Sequence, residues 1–247
     1  TPKQWRQKII DGVHDWQIAF EQAGFKNAVI AKEPTVDDQD FDIVKWYTAV
    51  VAGQSNEREL QALARNNSYA GIIALSAFYL NQGDFSAAQQ QLDLARKINP
   101  DHSLITLIQT DIYLGQNKAD AAYQVILPKQ RIMPENRALS FKLAEVLIRE
   151  KKSAEAETLV NRFINKNPRD IMGWQLLQQA ANLDQANPLR TVNVLRNRAE
   201  VQYWSGDEEN AIKSLLHAQR LAKDNMSAKA KIDIRLKAMQ DERKLKI

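Results

Sequence analysis

Residues 69–102 read YAGIIALSAFYLNQGDFSAAQQQLDLARKINPDH, and residues 103–136 follow as SLITLIQTDIYLGQNKADAAYQVILPKQRIMPEN. Residues 137–170 continue as RALSFKLAEVLIREKKSAEAETLVNRFINKNPRD. Set one above another, the three stretches place Pro100, Pro134 and Pro168 in register, 34 residues apart, and Ala88, Ala122 and Ala156 at the same step. The first carries Leu75, Tyr79, Gly83, Phe85, Leu92 and Ala95 around its alanine. The second carries Tyr113, Asn117, Ala119 and Ile126, and the third Leu143, Ala144, Leu147 and Val160. A fourth unit opens with Trp174 and Leu177 and then becomes irregular. A further one shows Ala199, Gly206, Ala211, Leu215 and Ala218. Such a period means one small unit, copied, whose apolar face is buried only by its neighbours.

This is the tetratricopeptide pattern, a helix–turn–helix repeat. The residue types follow from its geometry. Two antiparallel helices cross closely at the alanines, where a larger side chain would overpack the contact by about 1–3 kcal/mol. Gly83 and Gly206 fall between paired helices, where a residue free to take positive φ ends the first helix. Each proline follows the second helix and stops it. The expected fold is all-α, a right-handed solenoid of antiparallel helix pairs over 38–247, preceded by an N-terminal helix–strand segment or linker over 1–37. Solenoids present extended concave surfaces that bind other proteins.

Composition agrees with a packed helical fold. Of 247 residues, 44% are apolar and 26% charged, with 8 Gly, 7 Pro and no Cys. The lack of cysteine excludes disulfides, thiolate zinc sites and cysteine nucleophiles. No apolar run approaches the ~18 residues of a membrane span, and the first residues lack a signal-peptide pattern. A chain starting at Thr1 reads as processed or excised from something longer. The whole net charge of +4 resides in 223–247, where Ile232, Leu236 and Met239 recur at helical spacing. That segment reads as a basic amphipathic capping helix, or as a contact for an acidic partner or a membrane surface; no nucleic-acid-binding signature accompanies the charge, so no nucleic-acid partner is expected.

The N-terminal segment departs from the repeat. Trp5, Ile9, Val13, Trp16 and Phe20 step by three or four, an amphipathic helix ending at Gly24. Residues 25–31 read as a short strand centred on Val29 and Ile30. Asp37, Asp38, Asp40 and Asp42 lack the glycine and terminal glutamate of a calcium loop. They suit the start of a helix, which favours negative charge. Farther on, Asn187-Pro188 reads as an N-cap followed by the first helical residue. Leu183-Asp184-Gln185 before it breaks the repeat.

Two resemblances rest on longer stretches. Asp111-Ile112-Tyr113-Leu114-Gly115-Gln116-Asn117-Lys118-Ala119, Asn161-Arg162-Phe163-Ile164-Asn165-Lys166-Asn167, Gly173-Trp174-Gln175-Leu176-Leu177 and Arg198-Ala199-Glu200 resemble the repeat region of the beta-barrel assembly-enhancing proteases of the Gram-negative periplasm. That resemblance covers about 40–247. It implies a periplasmic zinc metallopeptidase whose repeats dock onto the outer-membrane assembly machinery and its clients. Residues 9–42, through Gly12-Val13-His14-Asp15-Trp16-Gln17-Ile18-Ala19-Phe20, resemble a segment of large metzincin-like zinc peptidases that lies before their zinc motif.

A helical zinc peptidase needs two histidines four apart with a glutamate beside the first. The sequence has only His14, His102 and His217, and none fits. No phosphate loop or nucleophile elbow appears either. The expectation is therefore no catalytic, cofactor-binding or metal-binding residue in this chain, any zinc belonging to a catalytic domain of the parent. Tyr203 and Trp204 read as core, or as a surface aromatic patch. Partner binding is expected on the concave face, at Ile73, Ala77 and Leu80, at Leu107, Asp111 and Leu114, and at Phe141, Glu145 and Arg149. Met172, Gln175 and Gln179 continue the line. Ile73 and Leu107 stand where repeats that clamp a C-terminal carboxylate carry polar residues, so an apolar groove for a helix or extended segment is expected there. The other reading is that Ile73, Leu80 and Leu107 pack against a neighbouring helix or a missing domain. Three functions stay open. One is a periplasmic, non-catalytic docking module for outer-membrane protein assembly and quality control. The second is a piece of an active zinc metallopeptidase whose HExxH domain lies elsewhere, and the third a stand-alone assembly adaptor.

Overall fold

The computed structural model describes residues 3–23 and 39–244, and among them every regular element is an α-helix. In sequence order these are α1 (Lys3–Gln22), α2 (Gln39–Val51), α3 (Glu57–Arg65), α4 (Tyr69–Asn81), α5 (Phe85–Ile98), α6 (Ser103–Gly115) and α7 (Ala119–Ile132). Then come α8 (Arg137–Arg149), α9 (Ser153–Ile164), α10 (Ile171–Leu183), α11 (Arg190–Trp204), α12 (Glu208–Leu221) and α13 (Met226–Lys244). The strand expected at 25–31 lies outside the described residues.

The three periodic stretches each form one helix pair: α4 with α5, α6 with α7, α8 with α9. Each pair also packs on the next, which makes a tetratricopeptide solenoid. Ala88, Ala122 and Ala156 are completely buried, as is Ala211 in the later unit. Their bare methyl groups let the paired helices approach, so the 34-residue step in the sequence is a step of close contacts in the fold. Pro100, Pro134 and Pro168 all fall in the turns after α5, α7 and α9.

The turns inside the pairs share one hydrogen-bond pattern. At Gly83 the amide N–H donates to Leu80 O at 3.0 Å, and Asp84 N–H donates to Tyr79 O at 3.0 Å. This double bond is the Schellman closure, which needs a left-handed residue. Gly83 supplies it with φ 77°. One and two repeats later Asn117 (φ 59°) and Lys151 (φ 60°) occupy the same place with the same bonds. Gly206, φ 88°, repeats it between α11 and α12, and Gly53, φ 67°, between α2 and α3.

Side-chain caps start most helices. Ser68, Asp84, Asn136, Asp170 and Asp207 each accept an N–H from three residues on, satisfying donors that the helix itself leaves open. Asn187 does not cap α11 from the position expected of it. Its Oδ1 accepts from Leu189 N–H at 2.9 Å inside a turn, and α11 begins at Arg190. The break separates the apolar clusters but not the helices, since α10 and α11 pack closely across it. One core runs from α7 to α10, around Phe141, Leu143, Ala144, Leu147 and Leu176. A separate core, around Val192, Ala199, Leu215, Ile232 and Met239, belongs to α11, α12 and α13. Ile232, Leu236 and Met239 are buried there, so α13 closes that end. Arg235 pairs with Glu200, and Tyr203 donates to Glu242, tying α13 to α11. Tyr203 is buried in this core, and the partly buried Trp204 packs on it.

α1 stands differently. It forms the expected amphipathic helix, but Ile9, Trp16 and Ile18 are exposed and none of its described side chains is buried.

Candidate functional site

The first helices of successive pairs, α4, α6 and α8, are neighbours, so their inner faces form one surface. At its N-terminal end that surface is covered from within the protein. Ile43 of α2 is buried in one cluster with Tyr69, Ile72 and Ile73, and Trp46 and Tyr47 pack beside it. Val50, two turns on, shares a second cluster with Leu60, Ala74, Leu75 and Ala77. Ile73 is fully buried and Ala77 nearly so. Of the two readings of these apolar positions, packing under a neighbouring helix is the one seen.

Phe141 is buried for another reason. Its ring meets Phe163 edge-on at 5.5 Å, and the Arg137 guanidinium lies 4.4 Å from its centroid, inside the core shared by α8, α9 and α10. Ile73, Ala77 and Phe141 therefore offer no surface to a partner in this conformation. Leu80, Leu107, Asp111, Leu114 and Glu145 are partly buried, and Arg149 is exposed. On α10, Met172, Gln175 and Gln179 are exposed as well.

Beyond α2 the surface becomes charged. Lys142 Nζ lies 2.7 Å from Asp111 Oδ1 and 2.6 Å from Glu145 Oε2, joining α6 to α8. The three side chains are 18%, 28% and 27% exposed, buried enough for the pairing to be weakly screened. Burial pushes the Asp111 carboxyl above its ordinary range, against the pull of Lys142. Burial works to lower the Lys142 ammonium, but Asp111 and Glu145 outweigh it and its pKa rises. Burial and then the Asp111 charge raise the Tyr47 phenol, which brings α2 into the same field. Two carboxylates against one ammonium leave one net negative charge. Leu107 and Leu114 flank Asp111 on its own helix. Such an arrangement, with every charged group in it already paired, can orient a bound peptide.

Lys142 and Tyr47 were not among the expected positions. The available signals were the i, i+3 spacing of Lys142 and Glu145, and the stripe Ile43, Trp46, Tyr47, Val50, which is too apolar for a helix with nothing to cover.

The described residues do not fit the zinc that the resemblance implies. His14 on α1 and His217 on α12 are exposed. His102 precedes α6, where its Nδ1 accepts from Leu104 N–H at 3.2 Å. Among the described residues no three His, Asp or Glu side chains converge. No step through a metal follows from these residues. Nor is any helix among the described residues long and apolar enough to cross a membrane.

No protein-family model matches the sequence. Individual proteins do. The chain is 31% identical over 167 residues to the beta-barrel assembly-enhancing protease of Escherichia coli K12, a match covering 66% of this chain and 32% of that protein. It is 34% identical over 132 residues to the protease of the same name from Yersinia pestis, covering 52% and 26% respectively. The matched region is thus about a third or less of these relatives' own length. Among solved structures, a tetratricopeptide repeat protein from Parabacteroides merdae aligns over 96% of this chain and 99% of its own, with TM-score 0.47 and 16% identity.

Proposed function

The chain is a tetratricopeptide-repeat solenoid homologous to part of the beta-barrel assembly-enhancing proteases, and from that premise we propose that it is a non-catalytic interaction module. It holds outer-membrane barrel proteins, or the machinery that assembles them, in the periplasm. The observation that carries this reading is the 31% identity over 167 residues falling on a repeat fold, an architecture whose extended surfaces serve binding. The paired state of Asp111, Lys142 and Glu145 supports a binding surface over a reaction centre. In this reading a separate domain of a longer polypeptide supplies the zinc and the endopeptidase chemistry, and the solenoid presents the client to it.

The docking surface is the uncovered part of the inner face, from Asp111, Lys142 and Glu145 through Arg149 to Gln175 and Gln179. Fluorescence anisotropy of the purified protein with a labelled, urea-unfolded outer-membrane barrel protein tests it. Arg149→Glu with Gln175→Glu and Gln179→Glu should weaken binding, while the same reversal at the outer-face residue Gln90, exposed on α5, should not. Equal affinity for all variants would remove the inner face from the account.

A further inference from the structure

Helices α10 to α13 enclose a cavity of about 40 Å³ lined by Trp174, Arg196, Asn197, Glu200, Leu215 and Arg235. One water needs roughly 10–15 Å³, so the space accepts a few waters or the head of a small ligand group. Its two arginines are in different states. Arg235 is spent: Nε and Nη2 donate to the two carboxylate oxygens of Glu200, each at 2.7 Å. That bidentate pair also occupies both oxygens of Glu200, which is itself buried. Arg196 is partly buried and, among the described residues, makes no hydrogen bond or ion pair. Its desolvation pulls its pKa down, and the charge of Glu200 only partly opposes this. The Asn197 amide is uncommitted too, whereas the Trp174 indole N–H is used on Pro168 O at 2.8 Å.

The cavity therefore counts two guanidinium cations against one carboxylate, with the fork of Arg196 unused. No Arg196 nitrogen is fully buried, so the fork is open to an incoming ligand. The surroundings are short of acceptors in general. Trp204 Nε1 is buried without one, on a ring that Arg235 and Arg169 face at 5.6 and 5.5 Å. The open fork of Arg196 can take an anionic acceptor.

We propose that this cavity binds a carboxylate of a polypeptide ligand, with Arg196 as the bidentate donor, Asn197 as a second donor and Trp174 and Leu215 as apolar walls. A planar fork matches a planar carboxylate. One unit of excess positive charge balances a monoanion and leaves a phosphate dianion under-compensated. The carboxylate can come from the C-terminus of the ligand or from an acidic side chain within it. The site stands on other helices than the Asp111–Lys142–Glu145 surface and does not rest on the docking role proposed for that surface.

The test is a titration of the 247-residue protein, followed by the NMR resonance of the Arg196 Nε–Hε group, which Arg196→Gln assigns by its disappearance. The probes are N-acetyl-Ala-Ala, its C-terminal amide, N-acetyl-aspartate amide and inorganic phosphate. At least one of the two acids should shift the resonance and the dipeptide amide should not. The dipeptide acid alone assigns the site to C-termini, the aspartate alone to acidic side chains, and both to any carboxylate. Arg196→Lys, which keeps the charge and loses the fork, should weaken the acid about tenfold or more. Because Arg196→Lys keeps the charge that faces Glu200 and breaks no side-chain hydrogen bond, the melting temperature of that variant should match the wild type, which separates ligand binding from a structural role. The proposal fails if neither acid shifts the resonance up to its solubility limit, if phosphate binds better than both, or if Arg196→Lys binds as the wild type does.

Discussion

Lys151→Gly should stabilise this protein although it deletes a charged side chain and adds no contact. Lys151 holds φ 60° in the Schellman turn between α8 and α9, where Gly83 holds φ 77° in the equivalent turn two repeats earlier. A side chain in this left-handed region costs roughly 1–2 kcal/mol. Glycine removes that strain but brings back about 0.4–1 kcal/mol of unfolded-state entropy. The net expectation is a gain of about 0.5–1 kcal/mol. The side chain itself contributes little to offset this, since Lys151 is exposed. With a urea dependence of about 2 kcal/mol/M, typical of the lower size range, the midpoint should move up by about 0.25–0.5 M. Two companions guard against accident. Gly83→Lys should move it down by a similar amount, because nothing lies within 4 Å of a Cβ built at Gly83 and only the backbone objects. Asn117→Gly should gain less than Lys151→Gly, since asparagine tolerates the left-handed region better. Circular dichroism at 222 nm during urea unfolding reads all three. A Lys151→Gly midpoint at or below the wild type, with Gly83→Lys unchanged, would show that turn conformation does not limit the stability of these repeats.

Further predictions concern packing and charge. Ala156→Leu, at a fully buried helix crossing, should cost about 1–3 kcal/mol in the same urea assay, and a neutral result would mean the pair is less tightly packed than described. Asp170 accepts from Arg137 at 2.5 and 2.7 Å, and that bond holds its carboxyl below the usual range. Its stabilisation is present above the unfolded-state value near 3.9 and is lost as pH falls through the lower folded value. Asp170→Asn, which keeps an N-cap acceptor for Gly173, should cost about 1–2 kcal/mol at pH 7 and progressively less as pH falls below that unfolded-state value. Melting curves across that range check it, and an equal loss at both ends would refute the ion-pair assignment. Burial and the bond to Glu242 push the Tyr203 phenol up to about 12, so part of the tyrosinate absorbance at 295 nm should appear late in an alkaline titration, and that part should shrink in Tyr203→Phe.

The repeat core was plain in the sequence because its constraints are local and periodic. Alanine at a crossing, glycine at a left-handed turn and proline after a helix each have one physical reason, and they recur at one step. Where a constraint can be met by other means, the pattern blurs. Asn117 and Lys151 take the glycine conformation without being glycine. α7 runs through Pro128, with Ile126 and Gln130 buried on either side. The turn at 184–189 takes its bond from Asn187 to Leu189 and delays α11 past the Asn-Pro start signal. The inner face was the least legible part. Its exposure depends on what lies over it, and α2 stands outside the 34-residue register. The nine expected partner-binding positions consequently divide into three that are buried and six that keep some surface. The unpaired Arg196 carried no signal at all, because a missing partner is a fact of three dimensions.

The central claim is that the inner face meets outer-membrane proteins or their assembly machinery in the cell. Site-specific photo-crosslinking in intact Gram-negative cells addresses it most directly, with the crosslinker at Arg149, Gln175 or Gln179 on the inner face and at Gln90 on the outer. The account predicts adducts to barrel proteins or their assembly machinery from the first three sites and none from Gln90. Equal labelling at all four, or adducts only at Gln90, would contradict it.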